Sequence, residues 1–457
     1  MKHTDVVDIF SGVTPIGSEV TVCGWVRTFR DSKNMAFLEI NDGTTLKHLQ
    51  IVIDKNEIKN DEFMRLGCSV KVVGTLVESL VMKGSVEINA KEVVLLGDCP
   101  TDYPLQKKRS TMEFLRTIPH LRVRTNTFNA VFRVRSVVGA CIHEFFQSRH
   151  YVYVNTPIIT GSDCEGAGEV FKVTTLGYAP QYKSQEEYDK NDFFGQSAGL
   201  SVSGQLEGEV AAMAFGKIYT FGPSFRAENS NTPRHAAEFW HIEPEVAFAE
   251  LPDIIEIAED LIKHIINTVL TKCPAELAFF DKFVEHGLIE KLKNVVSHKF
   301  GVVDYTEAIE ILKKADKDFV FKPEWGEDIQ TEHEKYLTEE VFKKPIFVIN
   351  YPKAIKSFYM KQNPDGKTVA ATDLLVPGVG EIIGCSEREW DEEKLLQAMR
   401  ERNMPEEQYD YYIALRHFGS VPHSGFGLGF ERILMYVTGM NNIRDVILYP
   451  RTAGGLM

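Results

Sequence analysis

The chain has 457 residues, 44% of them hydrophobic, and a formal net charge of −14. That length exceeds one ordinary domain and supplies apolar material for two or three cores. The acidic balance argues against a surface coated in phosphate-binding lysines, so any nucleic-acid contact is expected to be local. The opening MKHTDVVDIFSG lacks the apolar core of a secretory leader, and no apolar run reaches the roughly 18 residues of a membrane span. The cytoplasm is therefore the expected compartment. Seven cysteines, at 23, 68, 99, 141, 164, 273 and 385, lie far apart without a CxxC pair. Neither a disulfide framework nor a zinc site is expected from them.

Between residues 20 and 97 short β-type runs recur: VTVCGWVRTF, MAFLEI, HLQIVID, CSVKVVGTLV and SVEINAKEVVLL, separated by Gly, Asn, Asp and Lys turns. Five strands in so short a stretch predict a small closed barrel. CPTDYPLQKKRST, 99–111, sets prolines beside a cationic cluster and reads as a linker. Val134, Val138, Cys141, Ile142 and Phe145 follow the spacing of one helical face, which predicts a helix over about 128–148. It runs into YVYVNTPIIT, a β-rich stretch holding Pro157 that is expected in the core, with pairing to a second copy as the alternative. The region 285–340 is highly charged with helical patches and is expected to be an accessory surface insertion without chemistry.

Residues 221–245 read FGPSFRAENSNTPRHAAEFWHIEPE. IYTFGPSF and EFWHIEPEVAFA form a hairpin with a polar loop, AENSNTPRHA, between them. A period of two sets Trp240 and Ile242 toward a core and Phe239, His241, Glu243 and Glu245 on the other face. A ring can stack on a base, a carboxylate can hold an ammonium, and Arg226 and Arg234 can fork onto phosphate oxygens. The competing reading of this stretch alone is a salt-bridged exposed hairpin. In ATDLLVPGVGEIIGCSERE, strands flanking the Pro377-Gly378 turn would set Asp373 and Glu381 nearly opposite each other, two hard oxygen ligands suited to Mg²⁺ on a polyphosphate. Strict alternation would put Glu381 and Arg388 on opposite faces, so both reach one pocket only through a kink, expected at Gly384. HSGFGLGFERILMYVTGM carries glycines at 425, 427 and 429 before a helix with Arg432 in its first turn and Gly439 at its close. Strand positions without side chains let a ligand approach the backbone.

In this order, these stretches resemble the three signature motifs of the class II aminoacyl-tRNA synthetases, in the aspartate, asparagine and lysine subgroup that carries an N-terminal OB-fold. The resemblance covers nearly the full chain: barrel, linker, the helix with Pro157, FRAENSNTPRHAAEF and GFGLGFER. It implies an α+β protein with a five-stranded OB-fold barrel over 1–98 for the anticodon, a linker over 99–112 and a class II antiparallel sheet flanked by helices over 113–457. A homodimer and Mg²⁺–ATP bent over the sheet are implied with it. Carried over by position, Arg226 would grip the α-phosphate and the substrate carboxylate, Glu228 would read the adenine amino group, and Phe239 would stack on adenine. Arg234 and His235 would approach the outer phosphates, Arg432 would hold the γ-phosphate, and Asp373 and Glu381 would ligate magnesium. Glu165, Gln205 and Glu243 would surround the α-ammonium, with Arg388 at the side-chain oxygen. Phe37, Gln50 and Glu87 match positions that stack on and read anticodon bases, and Lys107, Lys108, Arg109, Arg122 and Arg124 would supply a basic strip for the tRNA backbone.

Cys385 and Glu387 stand where the family usually shows Gly and Gln, and His241 replaces a commonly apolar residue. Around Gln205 the chain offers Glu207 and Glu209 but no lysine in 203–210, where the aspartate enzymes carry one. An asparagine side chain needs one donor for its oxygen and one acceptor for its amide, and Glu207 or Glu209 could be that acceptor. The expected substrates are L-asparagine, ATP and tRNA(Asn), with an asparaginyl-adenylate between them and AMP and pyrophosphate released. Aspartate specificity and a non-catalytic OB-fold nucleic-acid binder are the alternatives. Neither step of such a reaction demands a side-chain nucleophile; both demand positioning and cations where charge develops.

Overall fold

From Val20 to Val26 every second residue is buried, and this alternation is what curls Glu19–Asp31 (β1) around an apolar interior. Met35–Asn41 (β2), Leu49–Asp54 (β3), Ser69–Glu78 (β4) and Val86–Gly97 (β5) follow, closing a barrel in the order β1-β2-β3-β5-β4. Val22, Leu38, Ile51, Val72 and Ile88 fill it, and a short helix, Val6–Phe10, adds Val6 and Ile9 to the same core. At Gly74 the β4–β5 ladder slips by one residue. A Cβ there would stand 2.3 Å from the Asn89 carbonyl oxygen, so the bulge requires glycine. The computed structural model describes residues 2–58, 65–80, 84–108, 110–162, 164, 170–177, 182, 184–230 and 232–456. It divides into two units, Met1–Ala130 and Val131–Met457.

The second unit contains Val152–Tyr153 (β6), Ile159–Thr160 (β7), Gly199–Leu200 (β8), Lys217–Phe225 (β9), Glu238–Ala247 (β10), Gly301–Asp304 (β11), Ile346–Ile349 (β12), Ala371–Val376 (β13), Gly380–Glu387 (β14) and His423–Gly429 (β15). Eight of these make one sheet in the order β11-β12-β13-β14-β15-β10-β9-β6, while β7 and β8 pair separately. Pairing is antiparallel from β12 to β9, with β11 parallel to β12 at one edge and β6 parallel to β9 at the other. The predicted helix is Asn126–Gln147, and Val134, Val138, Cys141, Ile142 and Phe145 are all buried along it. Leu251–Lys272 starts at a capping box between Glu250 and Asp253 and packs its apolar face on β14 and β15.

Three expectations change here. The stretch 285–340 is drawn into the sheet: it supplies β11, and Val303, Tyr305, Ile309 and Leu312 share a core with Ile346 and Leu375. Its charges occupy the outer faces of amphipathic helices such as Leu288–Ser297, whose Leu288, Leu292 and Val295 are buried. The stretch around Pro157 is not core in this chain, because Val152, Tyr153, Ile158 and Ile159 are 39–45% exposed. Trp240, expected to face a core, is 40% exposed and packs edge-on against Phe221. All seven cysteines are free, and all but Cys23 are buried.

Candidate active site

The hairpin of β9 and β10 forms as expected, pairing Phe239 with Ser224 and Glu243 with Thr220. Strand β15 runs along the other side of β10, and its glycines have a more specific use than a general approach to backbone. A Cβ at Gly425 would lie 2.2 Å from Glu245 Oε1, and one at Gly427 would lie 2.4 Å from His241 Nε2. The glycines leave space for two β10 side chains to lie across the neighbouring strand.

Beside them is a cavity of about 130 Å³. Arg226, Glu228, Arg234, His235, Phe239, Glu381 and Arg432 line it, with Gly427 and Gly429. Seven of the eight positions expected around a nucleotide therefore meet in one place, although they come from a hairpin, the β14 strand and the helix Phe430–Thr438. The Arg226 guanidinium stands 5.4 Å over the Phe239 ring. Arg432 donates to the Glu381 carbonyl at 3.0 Å and lies 3.4 Å from its carboxylate. Burial, with Arg432 and Arg234 nearby, pushes the His235 imidazole down, favouring its neutral form.

The eighth position, Asp373, reaches the same corner by a route the sequence did not indicate. In register, Asp373 pairs with Gly384 and Glu381 with Leu375, so the two acids are not opposite each other. Between Leu374 and Leu375 the partner steps from Ile383 to Glu381, which makes Ile382 an extra residue. The kink expected at Gly384 is this bulge at Ile382; it turns Glu381 onto the face of Gly384, Ser386 and Arg388. Gly384 has another role, since a Cβ there would stand 3.6 Å from both Asp373 Oδ1 and Glu381 Oε1. Both carboxylates converge over its bare backbone. Burial and the neighbouring Glu381 push the Asp373 carboxyl up against the pull of Lys356, whose Nζ lies 2.6 Å away. Glu381 goes the other way: Arg432, Lys356 and Arg226 outweigh burial and hold it low.

Further along β10, Glu243 accepts from Gly204 N at 3.1 Å and Thr220 Oγ1 at 2.8 Å, and also from Ser203 Oγ. His241 Nδ1 lies 3.1 Å from it. These partners overcome complete burial and bring the carboxyl down to about 2. Arg388 grips Glu245 with two nitrogens, Nη2 at 2.5 Å and Nε at 3.2 Å, and donates to Ser386 Oγ at 2.6 Å. Gln205 donates to Glu209 at 3.0 Å. Glu209 is wholly buried and also accepts from Arg416 and His423 at 2.8 Å and from Tyr412 at 2.9 Å. The Arg416 charge and the His423 hydrogen bond, with Arg388 at 3.7 Å, hold its carboxyl below the usual range despite burial. Glu207 differs: it is half-buried, and burial together with the Glu243 charge pushes it up. Glu165, expected at this end, lies outside the described residues, as does Arg109.

In the barrel, Phe37, Gln50 and Glu87 share the outer face, with Gln50 donating to Glu87 at 2.7 Å and Ser79 to the same oxygen at 2.8 Å. Lys107 and Lys108 are exposed. Arg122 departs from the expected basic strip: it is fully buried, its guanidinium 4.3 Å over Phe128.

Residues the motifs did not mark include Lys356, Glu334, Arg416 and His423. Glu245 was legible on the correct face by its period, but its arginine partner was not.

Arginines, a ring and paired acids gathered on an antiparallel sheet make a site suited to positioning an anionic nucleotide, and with an oligonucleotide-type barrel in the same chain this defines a class II aminoacyl-tRNA synthetase. The chain belongs to that family: a profile of the class II tRNA synthetases (D, K and N) matches residues 111–453, and one of the OB-fold nucleic acid binding domain matches 20–96. It is similar to the asparagine–tRNA ligase of Clostridium kluyveri, 56% identical over 459 residues and 99% of both chains. The asparagine–tRNA ligase of Acetivibrio thermocellus is likewise 56% identical, over 99% of both chains. Among solved structures, the asparaginyl-tRNA synthetase of Pyrococcus horikoshii complexed with asparaginyl-adenylate superposes with a TM-score of 0.87 at 33% identity, covering 100% of this chain and 99% of that one.

Proposed function

We infer that this chain catalyses ATP-dependent ligation of L-asparagine to tRNA(Asn), through an asparaginyl-adenylate and with release of AMP and pyrophosphate. The observation that carries the choice of amino acid is the charge balance around Arg388. Its guanidinium is already matched by Glu245 in a bidentate pair, and Arg416 is matched by Glu209. Glu243, held ionised by its partners, adds further negative charge. A neutral amide fits that setting, whereas an aspartate side chain would add a carboxylate to an excess of carboxylates.

In the first step the asparagine α-carboxylate attacks the α-phosphorus of ATP, forming the acyl–O–P bond as pyrophosphate leaves. Arg226 holds the α-phosphate and the attacking carboxylate together. Phe239 and Glu228 fix the adenine, and Arg234, His235 and Arg432 meet the outer phosphates. In the second step a hydroxyl of the tRNA terminal ribose attacks the acyl carbon, and AMP is the leaving group. Positioning and cations where charge builds are sufficient for both.

Asp373 and Glu381 fit Mg²⁺, being hard oxygen donors that converge over Gly384. Bound there, it would neutralise charge on the polyphosphate. Phe37, Gln50 and Glu87 are assigned to the anticodon. The exposed apolar residues Val152, Tyr153, Ile158 and Ile159 support a homodimer formed through this edge. No helix among the described residues is long and apolar enough to cross a membrane, and a cytoplasmic location completes the reading.

The test is ATP–pyrophosphate exchange against all twenty amino acids. Asparagine should drive exchange, with aspartate lower by about two orders of magnitude or more, because a site built around a donor–acceptor pair rejects the mismatched analogue. A strong aspartate response overturns the choice of amino acid and leaves the class intact.

A further inference from the structure

Within the stretch 285–340, one short segment reaches the cavity. Thr331–Lys335 is a turn of α-helix that passes into a π-helical turn, Tyr336–Val341. Turns of this π type are rare and frequently lie at functional sites. Here the segment presents two carboxylates to the β13–β14 turn. Glu339 Oε1 accepts from Gly378 N at 2.9 Å, and Glu334 Oε1 accepts from Glu381 N at 3.3 Å. The turn leading into Glu381 is therefore held at both ends.

The other oxygen of Glu334 lies 2.9 Å from Arg234 Nη1. That nitrogen also donates to the Val379 carbonyl at 2.6 Å, and Nη2 donates to Thr331 Oγ1. Gly380 sits between the partners at a φ of +87°, where a Cβ would be 2.3 Å from Glu334 Oε2 and 2.4 Å from Arg234 Nη1. Glycine is thus required for both backbone and space. Arg234 comes from the loop of the β9–β10 hairpin, where nothing in the sequence ties it to a residue 100 positions away.

We propose that Glu334 is a positioning residue for amino-acid activation: it fixes the Arg234 guanidinium on the cavity wall and ties it to the turn that carries Glu381. The arginine for the outer phosphates and the acid for the metal then keep one spacing. This rests on the nucleotide reading of Arg234 and Glu381 above.

Glu334→Gln keeps the shape and removes the charge. In exchange assays on the full chain, its KM for ATP should rise about tenfold, the scale of one charge-assisted hydrogen bond, with KM for asparagine unchanged. Calorimetric binding of Mg²⁺–ATP without asparagine should weaken by the same factor. In an Arg234→Ala background, Glu334→Gln should add nothing, because glutamine keeps an acceptor for the Glu381 backbone N–H and loses only its hold on that arginine. Thr331→Val, which removes only the hydroxyl on Nη2, should move ATP binding in the same direction by less, and serves if Glu334→Gln folds poorly. Equal loss toward both substrates, or an ATP KM that is unchanged or lowered in Glu334→Gln, overturns the proposal. Should Arg234→Ala itself leave ATP binding intact, the nucleotide reading of that arginine fails and the proposal fails with it. A large Arg234→Ala effect without a Glu334→Gln effect removes the proposal alone.

Discussion

Glu209→Gln tests whether the acid nearest Gln205 contacts substrate or supports the floor. Glu209 is fully buried and accepts from four protein donors: Arg416, His423, Tyr412 and Gln205. With its oxygens so engaged, it is not free to accept a substrate amide, which leaves Glu207 as the candidate from that pair. A glutamine keeps one acceptor but turns an NH₂ toward a cluster made of donors, and it leaves the buried Arg416 without its anion. Breaking a buried pair from one side costs about 3–5 kcal/mol. In a unit of this size that corresponds to a fall in melting temperature on the order of 5 °C. Calorimetry on the intact chain reads the thermal shift, and exchange assays read the two Michaelis constants. The KM for asparagine should rise, since Gln205 and Arg388 lose a shared anchor, while the KM for ATP holds. Glu207→Gln should behave oppositely, lowering the asparagine-to-aspartate ratio at unchanged melting temperature. If Glu209→Gln melts like the parent, or if both Michaelis constants rise together, the anchoring role is wrong.

Arg226→Ala and Arg432→Ala should each lose about 2.7–4 kcal/mol of transition-state stabilisation, the scale of one preorganised donor, seen in exchange without tRNA; near-normal exchange in either variant would remove that residue from the phosphate clamp. Phe37→Ala should weaken tRNA charging by about 1–3 kcal/mol of lost stacking and leave activation alone, whereas parallel loss in both assays would point to a damaged barrel. The Glu243 carboxyl is depressed to about 2 from an ordinary value near 4.5. It therefore contributes stability above pH 4.5 that is lost as pH falls toward 2, about 3 kcal/mol in all. Denaturant titrations across that range should show a shallower acid slope in Glu243→Gln, and identical slopes would contradict the depressed value.

Much of this was legible in the sequence where one local rule decides. Alternation from Val20 to Val26 can only bury one face of a strand, so the barrel could be read directly. The same period placed Glu243 and Glu245 beside Phe239. Legibility failed where a second element decides. Nothing in GEIIGC marks Ile382 as the extra residue, because a bulge is set by the partner strand's register. The charges of 285–340 masked Ile309 and Leu312, since an amphipathic helix and a solvated insertion share a composition. Arg122 reads as a surface cation until Phe128 is seen beneath it. Glu209 and Arg416 are 207 positions apart, and no periodicity links residues at that distance.

The charges themselves explain how so acidic a chain can hold a polyanion. Arg234 faces Glu334, Arg432 faces Glu381, Lys356 faces Asp373 and Arg388 faces Glu245, each within 3.4 Å. A paired cation projects little field beyond the roughly 8 Å over which physiological salt screens charge, so the site does not gather phosphates indiscriminately. Its arginines are already oriented by their acids, and a phosphate oxygen that meets them finds donors in place, with little ordering left to perform. The cost is that each acid must keep a partner once the nucleotide enters. For Asp373 and Glu381, the Mg²⁺ proposed to bind them would meet that need, because two converging carboxylates beside a polyphosphate would otherwise repel it. On the proposed reading the same reasoning separates the two ends of the site: an asparagine side chain entering where Arg388 and Glu245 meet would bring no charge, and their pair could stay closed.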